Sequence, residues 1–211
     1  MKPCTTRAAI LENAERLFVS RGYAAVSFAS IASATETSAA NIHHHFGNKA
    51  ELAALLLEAC ATRFLDRYRQ TLTDATISLR AKLDAVLAFN RERYFEQNLN
   101  NEGGPWSLIT RFRLDLHLLA PRAQALPQQI SGQIEALVQT AVDQALSTGE
   151  LSARAPKADI ACQLVCLIRF NQFIVTDAGR FAALEQLFAA SARTIFQACS
   201  GCRREMPLAT D

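Results

Sequence analysis

The sequence predicts an all-α protein in which a head of three short helices is followed by a larger helical body. Three observations predict it. Apolar residues recur with the 3.6-residue period of a helix along most of the chain, and capping residues and glycines punctuate that period at helix-like intervals. No run of β-branched and aromatic residues alternates with polar ones for long enough to make a strand.

The elements follow in order. Ile10, Ala14, Leu17 and Phe18 form one apolar face, and Gly22 after Arg21 ends that helix. Ser27 caps a short helix through Ala34, and Thr37 or Ser38 caps another that ends near His45. Phe46-Gly47 breaks the chain again. Asn48-Lys49-Ala50-Glu51 has the form of a capping box and opens a long helix through Leu52, Leu55, Leu56 and Phe64 to about Thr71. Leu79, Leu83, Val86, Leu87 and Tyr94 mark the next helix, and Asn98 to Pro105 reads as a polar loop that serves as an entrance to the body. A helix is expected from Trp106 to Leu118, with a break at Pro121. Ile130, Ile134, Leu137, Val138, Ala141 and Ala145 make a clear stripe ending at Gly149. Pro156 starts a helix to about Asp177, and Leu184, Leu187, Phe188, Ser191 and Ile195 line the last, closed by Gly201. The division expected is a head at 1–50, a body at 51–200 and a loose tail at 201–211.

Composition narrows the function. Of 211 residues half are apolar and one in five is charged, which fills a core and excludes a disordered or fibrous chain. A net charge of +2 advertises no nucleic-acid partner, so any basic surface must come from local placement. The longest uncharged apolar stretch, Ile160 to Ile168, falls far short of the roughly 20 residues a membrane span needs. The first residues, Met1-Lys2-Pro3-Cys4, carry no apolar h-region, so a cytoplasmic protein without membrane contact is expected. No metal or cofactor is expected either. Successive residues on a helix point about 100° apart, so His43, His44 and His45 cannot converge on one ion. Cys199-Ser-Gly-Cys202 lacks the second pair that a four-ligand zinc site requires.

Three short helices in about fifty residues, the second and third joined by a tight turn, suggest a helix-turn-helix DNA-binding head. The run from Ile31 to Leu52, with Ile10-Leu-Glu-Asn-Ala-Glu-Arg-Leu-Phe18 and Arg21-Gly-Tyr23 before it, resembles the N-terminal signature of TetR-type (TetR/AcrR) transcriptional regulators. The resemblance covers about residues 7 to 55. It implies that residues 38 to 45 form the recognition helix, which lies in the major groove of an operator. Ser27, Thr37, Ser38, Ala39, Asn41, His43, His44 and Lys49 then become the candidate DNA contacts. Asn41 donates and accepts at once, which suits an adenine edge. Lys49 at a helix N-terminus presents positive charge and N–H groups to a phosphate. Glu36 stands where the family usually has glycine, a position of positive φ that strains a side chain.

The resemblance also implies that the body dimerises and encloses a small organic effector that releases a repressor from a double-stranded, palindromic operator. Candidate pocket residues are the bulky Phe64, Phe89, Trp106, Phe170 and Phe173, with Cys166 and the polar handles Arg111, His117 and Arg169; such handles favour an acid or carbonyl ligand. The helix from 156 to 177 is apolar on nearly all sides, so a partner's matching helices are expected to cover one face of a homodimer. Two other readings stand beside this one. The first is a thiol sensor on the same scaffold. The second is a helical enzyme or scaffold module without DNA binding, against which no nucleophile–base motif or Gly-rich phosphate loop appears.

Overall fold

The computed structural model describes residues 7–98 and 104–200, and these residues are all helix, turn and loop. The head comprises α1 (Arg7–Ala25), α2 (Phe28–Ala34) and α3 (Ala39–Phe46). The body comprises α4 (Lys49–Thr73), α5 (Leu79–Gln97), α6 (Leu108–Arg111), α7 (Pro121–Gln124), α8 (Leu126–Ser147), α9 (Lys157–Arg169), α10 (Asn171–Ala178) and α11 (Ala182–Ser200). A 3-10 turn at Leu116–Leu118 precedes α7.

Local chemistry sets most of these boundaries. Gly22 breaks the helix where the sequence leads one to expect an end, but with φ 80° and ψ 172° rather than a left-handed cap, and helical structure resumes to Ala25. The Ser78 hydroxyl accepts from the Ala81 amide and caps α5. Gly149 adopts φ 76° just beyond α8, and Gly179 ends α10 in the left-handed conformation. Head and body share one contiguous apolar core, from Ile10 in α1 to Ile195 in α11. Helix α4 begins at Lys49 and runs unbroken across residue 50, so only Gly47 and Asn48 separate the last helix of the head from the first of the body.

Two expected helices are different in the structure. The segment from Trp106 to Leu118 holds only the four-residue α6 and the later 3-10 turn. The bonds from the Arg113 amide to the Thr110 carbonyl and from the Asp115 amide to the Phe112 carbonyl close tight three-residue turns. The Phe112 ring, at the end of α6, is fully buried against Phe18 of α1. The segment from 156 to 177 bends by 55° at Phe170 into α9 and α10. The bend aims two amides inward. Asn171 donates to the Asn90 side-chain oxygen at 2.8 Å, and the Gln172 oxygen accepts from the Trp106 and Ser107 amides at 3.2 and 2.7 Å. Among the described residues no single helix is long and apolar enough to cross a membrane. The expected entrance loop lies largely, and the tail wholly, outside the described residues.

Candidate nucleic-acid interface and ligand cavity

The head is held by reciprocal caps. The Ser27 hydroxyl accepts from the Ser30 amide at 3.1 Å, and the Ser30 hydroxyl accepts from the Ser27 amide at 2.9 Å. Of the two caps the sequence offers for α3, Ser38 is the one used: its hydroxyl accepts from the Asn41 amide at 3.1 Å. Glu36, in the turn between α2 and α3, takes φ 51°. This is the strained conformation expected where a glycine would be at ease. Ile42 and Phe46 are buried, which fixes the roll of α3 and turns Ala39, His43 and His44 outward. Ser27, Ser38 and His45 are also exposed, while Thr37 and Asn41 are half-buried. The Asn41 amide donates to the Thr37 hydroxyl at 3.0 Å, which orients it along the face of α3. One further donor and its oxygen remain for a base edge.

Lys49 is more than a surface cation. Its ammonium donates to the Tyr23 carbonyl at 3.1 Å and lies 4.2 Å from the Tyr23 ring centroid. It therefore latches the start of α4 to the end of α1, and two N–H groups are left for a phosphate. The capping box at this helix is half formed: Asn48 accepts from the Glu51 amide at 2.9 Å. The Glu51 carboxylate goes instead to Arg122, which also donates to Glu58 at 2.7 Å and so clamps α7 to the first turns of α4.

Behind the head, helices α4, α5, α6, α8 and α9 enclose a cavity of about 290 Å³. Phe64, Phe89, Trp106 and Arg169 line it, as the sequence suggests. Arg111, His117, Cys166, Phe170 and Phe173 do not line it. Arg111 folds against the head, where a Cβ at Gly22 would come within 3.0 Å of its guanidinium. His117 is exposed on the 3-10 turn. The cavity takes Ile168, Arg169 and Asn171 from the α9–α10 bend, leaving Cys166, Phe170 and Phe173 on the exposed outer face.

Sequence reasoning missed Arg63, Arg93 and Arg113, which also line the cavity. Helical spacing carried a signal for one of them: Arg93 lies four residues after Phe89 on the same face. Glu15 of α1 reaches two of the three, at 2.7 Å to Arg63 and 3.3 Å to Arg93. The head thus supplies a carboxylate that pairs with two arginines of the body's cavity wall. At its floor, Asn90 donates to the buried Tyr68 hydroxyl at 2.8 Å and accepts from Asn171. Burial raises the Tyr68 hydroxyl above its ordinary value, which keeps this network neutral.

Cys60 also lines the cavity. Burial first, and then the Glu15 carboxylate, push its thiol up to about 12. The thiolate is the reactive species, so Cys60 stays protonated and inert at neutral pH. Cys162 and Cys166 on α9 are exposed instead. Alkylation with iodoacetamide at pH 8 should spare Cys60 in the folded protein and modify it once guanidinium has unfolded the chain, read by peptide mass mapping. Cys60 labelling as fast in the folded protein as in the unfolded one would contradict this environment. Cys4 and Cys202 lie outside the described residues.

Residues 10–56 match the family model described as bacterial regulatory proteins, tetR family. The head is similar in sequence to tetR-family heads. It is 46% identical over 54 residues to the HTH-type transcriptional regulator TtgR of Pseudomonas putida. It is equally similar to the probable HTH-type transcriptional regulator ArpR of Pseudomonas putida. In each case the match covers 26% of this chain and 26% of the relative, so the likeness to these curated proteins spans about a quarter of their length. The whole chain shares its fold with solved tetR-type regulators. A TetR transcriptional regulator from Legionella pneumophila superposes with a TM-score of 0.70 at 21% identity, over 92% of this chain and 100% of that one. The regulatory protein TetR from Rhodobacter sphaeroides gives 0.72 at 18% identity, over 88% of this chain and 96% of that one. The described residues therefore carry the tetR-type arrangement of a helix-turn-helix head on a helical body.

Proposed function

We propose that this protein is a DNA-binding transcriptional repressor, acting as a homodimer in the cytoplasm, that a small organic molecule in the body's cavity releases from a palindromic operator. The observation that carries the reading is α3. It is amphipathic, buried through Ile42 and Phe46, capped by Ser38 and exposed along Ala39, His43 and His44, in a head of tetR-family sequence. In this reading α3 enters the major groove and Asn41 reads a base edge, while Ser27, Thr37, Ser38 and Lys49 meet the backbone.

Release requires that the cavity and the head feel one another, and α6 supports that link. Leu108, Ile109 and Thr110 line the cavity, while the adjoining Arg111 and Phe112 pack on α1. A ligand that prefers one placement of α6 therefore biases the head. Coupling equals its differential affinity for the two placements, typically 1–3 kcal/mol. The outer face of α9 and α10 supports a homodimer: Cys162, Cys166, Phe170 and Phe173 are all exposed, and Leu187 of α11 is 38% exposed. Light scattering at micromolar concentration should give twice 23.1 kDa; a monomer's mass would remove the two-fold reading of a palindrome.

The test is an electrophoretic mobility shift with paired variants. Asn41→Ala should cost about 1–3 kcal/mol and relax preference at one base pair. Lys49→Ala should weaken binding to all sequences alike and lower the slope of affinity against salt by about one. It should also lower the melting temperature, because the latch to Tyr23 goes with it. Unchanged operator affinity in both variants would show that α3 does not read DNA.

A further inference from the structure

Resting on the reading that the cavity receives an effector, we propose that its ligand is a small amphipathic carboxylate, gripped between Arg113 and Arg169 with its apolar body against Phe64, Phe89 and Trp106. The cavity holds two arginine pairs in opposite states. Arg63 and Arg93 share a carboxylate that the protein supplies, Glu15 at 2.7 and 3.3 Å. Arg113 and Arg169 share none: neither makes a salt bridge among the described residues, and the Nε of each is buried without a hydrogen-bond partner. Both residues line the cavity, and each guanidinium lies 5.7 Å from the centroid of the outward-facing Phe170 ring, so the two cations sit near one another on the α9–α10 side of the cavity.

That arrangement is costly as it stands. A buried donor left unsatisfied is destabilising, and more so when it is charged. The pull of an aromatic face compensates only in part. Burial and the like charge of Arg169 both weaken the hold of Arg113 on its proton. An acceptor with two oxygens and one negative charge relieves both guanidiniums at once, because the planar fork of arginine matches a carboxylate.

The rest of the cavity narrows the class. A cation would meet four arginines. Glu92 and Glu96 line the exposed rim and repel a dianion such as a phosphate ester about twice as strongly as a monocarboxylate. The apolar wall calls for a hydrocarbon body, which a bare inorganic anion lacks. A volume of about 290 Å³ admits on the order of ten non-hydrogen atoms, taking roughly 30 Å³ for each.

Trp106 is the one tryptophan of the chain and lines the cavity, so its fluorescence reads occupancy without DNA. The probes are 4-tert-butylbenzoate and its neutral isostere 4-tert-butylbenzamide. The carboxylate should bind at least about tenfold more tightly than the amide, the effect of one charge-assisted contact. Arg113→Gln and Arg169→Gln, tested singly and together, should remove that preference while the melting temperature holds or rises, because a like-charge contact disappears. An amide that binds as well as the carboxylate, a preference that survives in the folded double variant, or no binding of either compound overturns the proposal. Operator affinity measured with and without the carboxylate separates the two readings. Fluorescence binding with no change at the operator keeps the carboxylate site and overturns effector control. Failure in fluorescence with intact operator binding overturns the carboxylate site alone.

Discussion

Phe112→Ala is expected to destabilise the protein by about 3–5 kcal/mol, the usual cost of emptying a phenylalanine site in a packed core. The ring is fully buried and meets the edge of Phe18 at 5.3 Å and of Tyr23 at 6.1 Å, both on α1. A collapse into the vacated space would have to move α1 or α6, and the shared core holds both in place. In a protein of this size each kcal/mol lowers the melting temperature by roughly 2–4 °C, so a fall of about 10 °C in thermal denaturation is the outcome to look for. Phe112→Leu keeps most of the volume and should cost less than about 1.5 kcal/mol. Equal melting temperatures for Phe112→Ala and the parent would mean that the ring is not the joint between head and body.

Gly22→Ala tests the same joint from the other side. With φ 80° and ψ 172° the backbone sits in a region that is essentially restricted to glycine, at a cost of about 1–3 kcal/mol for any other residue. The added Cβ would also stand 3.0 Å from the Arg111 guanidinium. The two contributions separate in urea denaturation of a double variant: with Arg111→Ala the crowding disappears and the backbone strain remains. Gly22→Ala should therefore cost less in the Arg111→Ala background than in the parent. An equal cost in both backgrounds would place Arg111 elsewhere in solution.

The contacts of Phe112 and Arg111 with α1 lie where reading along the chain fails and reading across it succeeds. The caps at Ser27, Ser38 and Asn48, the break at Gly22 and the buried Ile42 and Phe46 are settled within one helical turn, and the sequence shows them directly. Phe64 and Phe89 reach the cavity from inward faces of α4 and α5, and Trp106 from the segment just before α6. The arginines are another matter. Arg111 and Arg113 are two residues apart, yet one packs on the head and the other lines the cavity, because α6 ends between them at Phe112. Glu15 meets Arg63 and Arg93 across 48 and 78 residues of chain, a pairing that no local pattern records. Lys49 shows the same limit. Its position at a helix N-terminus suggests a phosphate, but the carbonyl of Tyr23, 26 residues earlier, holds its ammonium. The break at Phe170 has neither proline nor glycine to announce it and follows from what Asn171 and Gln172 reach in the core.

Everything proposed for the function depends on two copies of α3 reading a specific DNA sequence. Selection from a library of random duplexes with the full-length protein, repeated with Asn41→Ala, tests this most directly. The expected result is enrichment of an inverted repeat whose half-sites lie about 34 Å apart or a multiple of that, and loss of one conserved base pair per half-site in the variant. No enriched sequence, or an enriched sequence that Asn41→Ala leaves unchanged, would contradict it.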